Sequence, residues 1–111
     1  LVLPTKFTIA GRTYELVPFL KKGESSVKSY TMMERAEELC ANLGQRDSTF
    51  ILDYQAEIPV KYRGKLILVF TGWLNPSNLQ VVACLLWGGD RWRQSWLDGG
   101  DKCVRLVRRR I

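Results

Sequence analysis

The chain has 111 residues, 46% hydrophobic and 25% charged, with a formal net charge of +6. That balance excludes a disordered chain and a collagen-like repeat, and the length suits a single domain over residues 1–111 with a core that needs no metal or disulfide staple. The sequence contains no histidine, so serine–histidine and cysteine–histidine catalysis and histidine metal sites are excluded.

Phe7-Thr8-Ile9 and Thr13 to Val17 flank Ala10-Gly11-Arg12 and predict a short hairpin turning at Gly11. Pro18 closes the second strand or sets it at a sheet edge. Lys21 to Ser29 reads as a polar loop. Thr31 followed by Glu34 forms a capping box, and Met33, Ala36, Leu39, Cys40 and Leu43 recur at helical spacing. A helix is expected over 32–43, with Gly44 as its left-handed cap. Asp47 or Ser48 opens a second helix whose apolar stripe is Phe50, Ile51 and Tyr54, and which stops before Ile58-Pro59.

The pattern then changes to strands. Leu66 to Phe70 is apolar on both faces, as a central strand in a covered sheet is. Asn75 to Asn78 has the composition of a turn. Leu79 to Trp87 is a second strand, broken by Gly88-Gly89-Asp90. Arg91 to Leu97 alternates, with Trp92, Gln94 and Trp96 on one face. Asp98 to Asp101 is the next turn, Cys103 to Val107 the last strand, and Arg108-Arg109-Arg110 a basic end. The expected fold class is α+β: an antiparallel β-sheet with two helices packed on one face, in the order β-β-α-α-β-β-β-β. The longest apolar runs fall far short of the roughly 20 residues of a membrane helix.

The charge is unevenly spread. Residues 1–57 hold seven Lys and Arg against eight Asp and Glu, whereas residues 58–111 hold ten against three. A half this basic attracts an anionic ligand, an acidic protein or nucleic acid; the plainer alternative is a solubilising surface. All four tryptophans, Trp73, Trp87, Trp92 and Trp96, lie in that half. A two- or four-residue turn would set Trp87 on the face of Trp92 and Trp96, and a three-residue turn on the opposite one. On one face they make an aromatic patch beside Arg91 and Arg93, able to stack bases or sugar rings; otherwise they are core. Lys61, Arg63 and Lys65 form a second basic cluster, readable as a solvated loop.

Three cysteines without C-x-x-C spacing give neither a disulfide framework nor a zinc site. Cys40 and Cys84 read as small buried hydrophobes, and a reducing cytoplasm is expected. Asp90, Asp98 and Asp101 sit in glycine-rich turns as turn formers. Asp53 and Glu57, four apart, are the one carboxylate pair that would serve an enzyme.

The order of elements, the segment Trp87-Gly88-Gly89-Asp90-Arg91-Trp92 with Trp96-Leu97, and the final Val104-Arg105-Leu106-Val107 strand resemble C-type-lectin-like folds of bacterial and phage proteins. Met32 to Gly44, Ile58-Pro59 and Leu68-Val69-Phe70 are similar to small bacterial proteins without an assigned role. The resemblance implies paired terminal strands, here Tyr14–Val17 with Val104–Val107, on a scaffold that displays binding loops. The disulfide cysteines and the Glu-Pro-Asn and Trp-Asn-Asp calcium motifs are missing, so it implies no calcium or sugar role for any residue.

The leading expectation is a cytoplasmic, bacterial or phage-derived, non-catalytic protein-interaction or ligand-binding module. Trp73, Trp87, Arg91 and Arg93 would form its binding surface, and Arg108, Arg109 and Arg110 would add long-range attraction. A single-stranded nucleic-acid-binding protein is the alternative, and an enzyme acting through Asp53 or Glu57 a third. No cofactor, metal or membrane partner is expected.

Overall fold

β1 (Thr5–Ile9) and β2 (Arg12–Val17) form the expected hairpin, Ile9 opposite Arg12. Its two-residue turn requires positive φ at both central positions, and Ala10 and Gly11 adopt 46° and 83°. The coordinates are a computed structural model that describes residues 5–110.

The next element departs from expectation. Ser26–Lys28, inside the polar loop, is a strand, β3, and pairs with β7 (Gly99–Asp101), which the sequence reads as a turn. Three residues are too few to show alternation. β7 is glycine-rich for a packing reason: a Cβ on Gly100 would stand 2.7 Å from Phe19 and 2.9 Å from Met32.

α1 (Ser29–Glu38) starts and stops earlier than the 32–43 expected. Its entry is set by a tertiary bond, Ser29 N–H to the Asp98 carbonyl at 2.9 Å, so Thr31 lies inside the helix and caps nothing. Its exit is a Schellman motif: Ala41 N–H donates to Ala36 O at 2.8 Å and Cys40 N–H to Glu37 O at 3.2 Å. Cys40, not Gly44, takes the left-handed position, at φ 53°, and is therefore exposed rather than a core residue.

α2 (Gln45–Asp53) follows, then short 3-10 turns at Gln55–Glu57 and Val60–Tyr62. β4 (Ile67–Asn75), β5 (Asn78–Trp87), β6 (Trp92–Leu97) and β8 (Val104–Arg110) complete a six-stranded sheet of order β1-β2-β8-β4-β5-β6. β2 and β8 pair antiparallel, with Val17 opposite Leu106. β4 and β8 are parallel neighbours.

The class and the element order are as expected, but the two helices lie on opposite faces. Successive residues of a strand point to opposite sides. Leu68 and Phe70 pack with Ile51 of α2, while Val69 between them packs with Met32 and Ala36 of α1. Sequence shows that each helix has an apolar stripe, not which side of the sheet it meets.

The chain changes sides by passing through the sheet. β4 and β8 pair only from Ile67 to Val69, then part. The α1–α2 connection fills the gap: Asn42 bridges Val107 of β8, and Leu43 O accepts from Gly72 N–H of β4 at 2.9 Å. A Cβ on Gly72 would stand 2.5 Å from Asn42 O and 2.9 Å from Leu43 O, so only glycine admits the crossing strand this closely. β4 departs from regular pairing with β5 between Phe70 and Leu74 at this point. The expected strand was a plain central one; this bulge is what lets it reach the connection.

Candidate functional site

Four residues, 88–91, join β5 to β6, so Trp87 faces Trp92 on the same side of the sheet. The turn closes with Gly88 N–H donating to Arg91 O at 2.8 Å, and Gly89 takes φ 94°. Gly88 has no room for a side chain, because Arg93 folds over it: a Cβ there would stand 2.6 Å from Arg93 Nε. Arg93 donates to Asp90 at 3.1 Å and holds that carboxyl below the usual carboxylate range. Arg91 is exposed and has no ion-pair partner among the described residues.

Trp87 is half-buried. Its ring meets Trp92 edge-to-face at 6.0 Å, and the Arg63 guanidinium lies 4.4 Å from its centroid. A cation over a tryptophan face contributes about 0.5–2 kcal/mol, depending on solvation. Arg63 is delivered by the 3-10 turn Val60–Tyr62, where Lys61 lies 5.4 Å from the Tyr62 ring. The register Leu68 to Leu85 sets the start of β4 beside the end of β5. The Lys61, Arg63 and Lys65 cluster thus lies at the same end of the sheet as Arg91 and Arg93. Ile67 lies opposite Val104, so Lys102 joins the same end of the sheet. These clusters are some thirty residues apart in the chain, and only antiparallel pairing brings them together.

The other tryptophans divide. Trp92 is core, 1% exposed, and its Nε1 has no hydrogen-bond partner among the described residues. Its main chain is clamped by one side chain: Gln55 Oε1 accepts from Trp92 N–H at 2.7 Å, and Gln55 Nε2 donates to Trp92 O at 3.3 Å. That amide stands in for a strand partner along the edge of β6. Trp73 and Trp96 form a separate half-buried edge-to-face pair at 5.5 Å. Trp96 is four residues from Trp92, about 13 Å along the strand.

Arg108 and Arg109 lie near the far end of β8, about 15 Å beyond its first residue. Arg108 is bound within the fold, donating to Glu15 at 2.9 Å and to Leu39 O at 3.0 Å. Glu15, 4% exposed, has its proton affinity lowered chiefly by that bond, against the opposing effect of burial. Arg109 is exposed. Of the predicted site residues, Trp87, Arg91 and Arg93 flank one turn, with Trp87 and Arg93 on opposite faces of the sheet, and Trp73, Arg108 and Arg109 lie elsewhere. Asp53 is exposed, and Glu57 accepts from Ala10 N–H at 3.0 Å. Burial pushes the Cys84 thiol up to about 11, while Cys103 is exposed.

Among the described residues no group of three His, Cys, Asp or Glu could hold a metal ion, and no helix is long and apolar enough to cross a membrane. No family model, curated protein or solved structure matches the chain. What the site can do follows from its geometry alone.

Proposed function

We propose that the protein is a non-catalytic interaction module that takes an anionic protein surface at its basic end. The observation that carries this is Arg63 over the Trp87 ring, at the end of the sheet where the register of β4 on β5 also sets Lys61, Lys65, Arg91 and Arg93. Exposed arginine beside a half-buried tryptophan is the composition of an interface anchor. Stacked single-stranded nucleic acid is the weaker fit, because Arg63 already covers a face of Trp87. The test is tryptophan fluorescence of the whole chain titrated with a poly-glutamate peptide and with short oligothymidylate, at low and moderate salt. Saturable response to the acidic peptide, lost in Arg91→Ala, supports the proposal. A response to oligothymidylate alone, with steep salt dependence, replaces it by nucleic-acid binding. Silence with both probes overturns it.

A further inference from the structure

The α1 side of the sheet carries a second concavity of opposite character. It is an open cleft of about 920 Å³ between α1, the β3–β7 ribbon and the start of β5. Its floor is apolar: Ile67, Val81, Leu97 and Val104. Its rim carries donors and acceptors together, among them Lys28, Tyr30, Gln80, Asp98 and Asp101.

Two features point to an occupant. β6 ends at Leu97, opposite Val82, while β5 begins at Asn78. On the side that β6 leaves, residues 78–81 therefore have no strand beside them among the described residues, and this stretch of about 13 Å borders the cleft. Asn78 Oδ1 holds the Gln80 N–H at 3.0 Å, a local cap that an incoming carbonyl would replace. Next, two carboxylates and one ammonium border the cleft in a chain of net charge +6. Neither Asp98 nor Asp101 has an ion-pair partner among the described residues.

We propose that this cleft binds an extended peptide of alternating apolar and basic side chains, added as a strand beside Asn78–Val81. The free edge matches a peptide main chain, which both donates and accepts. Strand alternation sends every second side chain onto the apolar floor, and the exposed carboxylates of Asp98 and Asp101 at the rim favour lysine over glutamate in such a peptide. A single small amine would leave the strand edge and most of the floor uncovered.

The experiment is two-dimensional NMR of the nitrogen-15-labelled chain with three probes: a blocked Lys-Val repeat peptide, its Glu-Val counterpart, and the Lys-Val peptide methylated on alternate backbone nitrogens. The Lys-Val peptide should give saturable shifts at Val27, Tyr30, Val81 and Gly99, and the other two should give none. Asp98→Asn should weaken it about fivefold, the effect of one exposed ion pair. Val81→Lys should abolish it, while both variants keep the dispersed spectrum of the folded chain. The proposal is overturned if the Lys-Val peptide leaves those amides unmoved, if the Glu-Val peptide moves them equally, or if backbone methylation changes nothing. Equal shifts from free lysine amide would reduce the cleft to a small-amine site and overturn it as well.

Discussion

The two faces of the sheet are built from the same strands and finish differently. On the α2 face the core is aromatic, with Phe7, Tyr14, Tyr62, Phe70 and Trp92 packed under α2 and the 3-10 turns. On the α1 face the strands present Val69, Val82, Cys84 and Val104, under Met32, Ala36 and Ala41. Large rings fill the space between helix and sheet, and polar chemistry is left to the rim at Arg63 and Arg91. Small residues bring α1 close at one end and leave an open cleft beyond it. Alternate positions along β4 and β5 thus decide which face closes and which remains concave.

Substitutions separate the two faces, and the largest effect is expected where they are joined. Gly72→Ala puts a methyl group against two backbone carbonyls of the crossing connection, which cannot both move. It should cost about 3–5 kcal/mol in chemical denaturation and loosen both faces together. If it costs less than about 1 kcal/mol, the crossing does not hold the faces together.

Glu15→Ala strikes the α1 face. It strands Arg108, whose guanidinium is bound between Glu15 and Leu39 O, and should cost about 2–3 kcal/mol by the same measurement. Its reach should stop at the α1 face, with amide exchange in α2 unchanged. Gln55→Ala strikes the α2 face instead. Two hydrogen bonds to Trp92 are lost, for about 1–2 kcal/mol, and the bared β6 edge should promote self-association, readable by light scattering.

The faces should also answer pH differently. Glu24, bound by Arg35 at 2.6 Å, has its carboxyl drawn down to about 2, and Glu15 is lowered in the same direction. A lowered folded value gives stability that is present above the usual carboxylate range and lost as pH falls toward about 2. Tyr14, by burial and its 2.7 Å bond to Asp47, is raised to about 12. That contribution is present below the ordinary tyrosine value of about 10 and lost as pH rises toward 12. Spectra followed along both pH limbs should show α1-face signals failing first in acid and α2-face signals first in alkali. The smallest effect on stability belongs to Arg91→Ala, within about 0.5 kcal/mol, since its side chain is exposed and unpaired among the described residues. Only binding to the acidic probe should fall.

Much of this was legible in the chain. Gly11 between alternating apolar residues fixes the hairpin, because a two-residue turn needs positive φ and the strands around it have period two. The apolar runs over Leu66–Phe70 and Val81–Trp87 mark central strands, since both of their faces are covered. The Trp and Arg alternation after Gly89 correctly separates Trp92 from Arg93. The basic character of the site was legible too, but not its composition. Arg63 and Arg91 are joined through the register of β4 on β5, and Arg108, equally cationic, is removed from it by Glu15.

The sequence by itself determined the two helices, the six longer strands, their order and the α+β class, because helical and strand periodicity are local properties of the chain. Tertiary structure alone decided the rest. It set α1 and α2 on opposite faces, made strands of Ser26–Lys28 and Gly99–Asp101, moved the helix ends to Ser29 and Glu38, and exposed Cys40. Each of these depends on a partner distant in the chain, such as the Asp98 carbonyl for Ser29 or the parted β4 and β8 for the crossing, and no local pattern records where that partner lies.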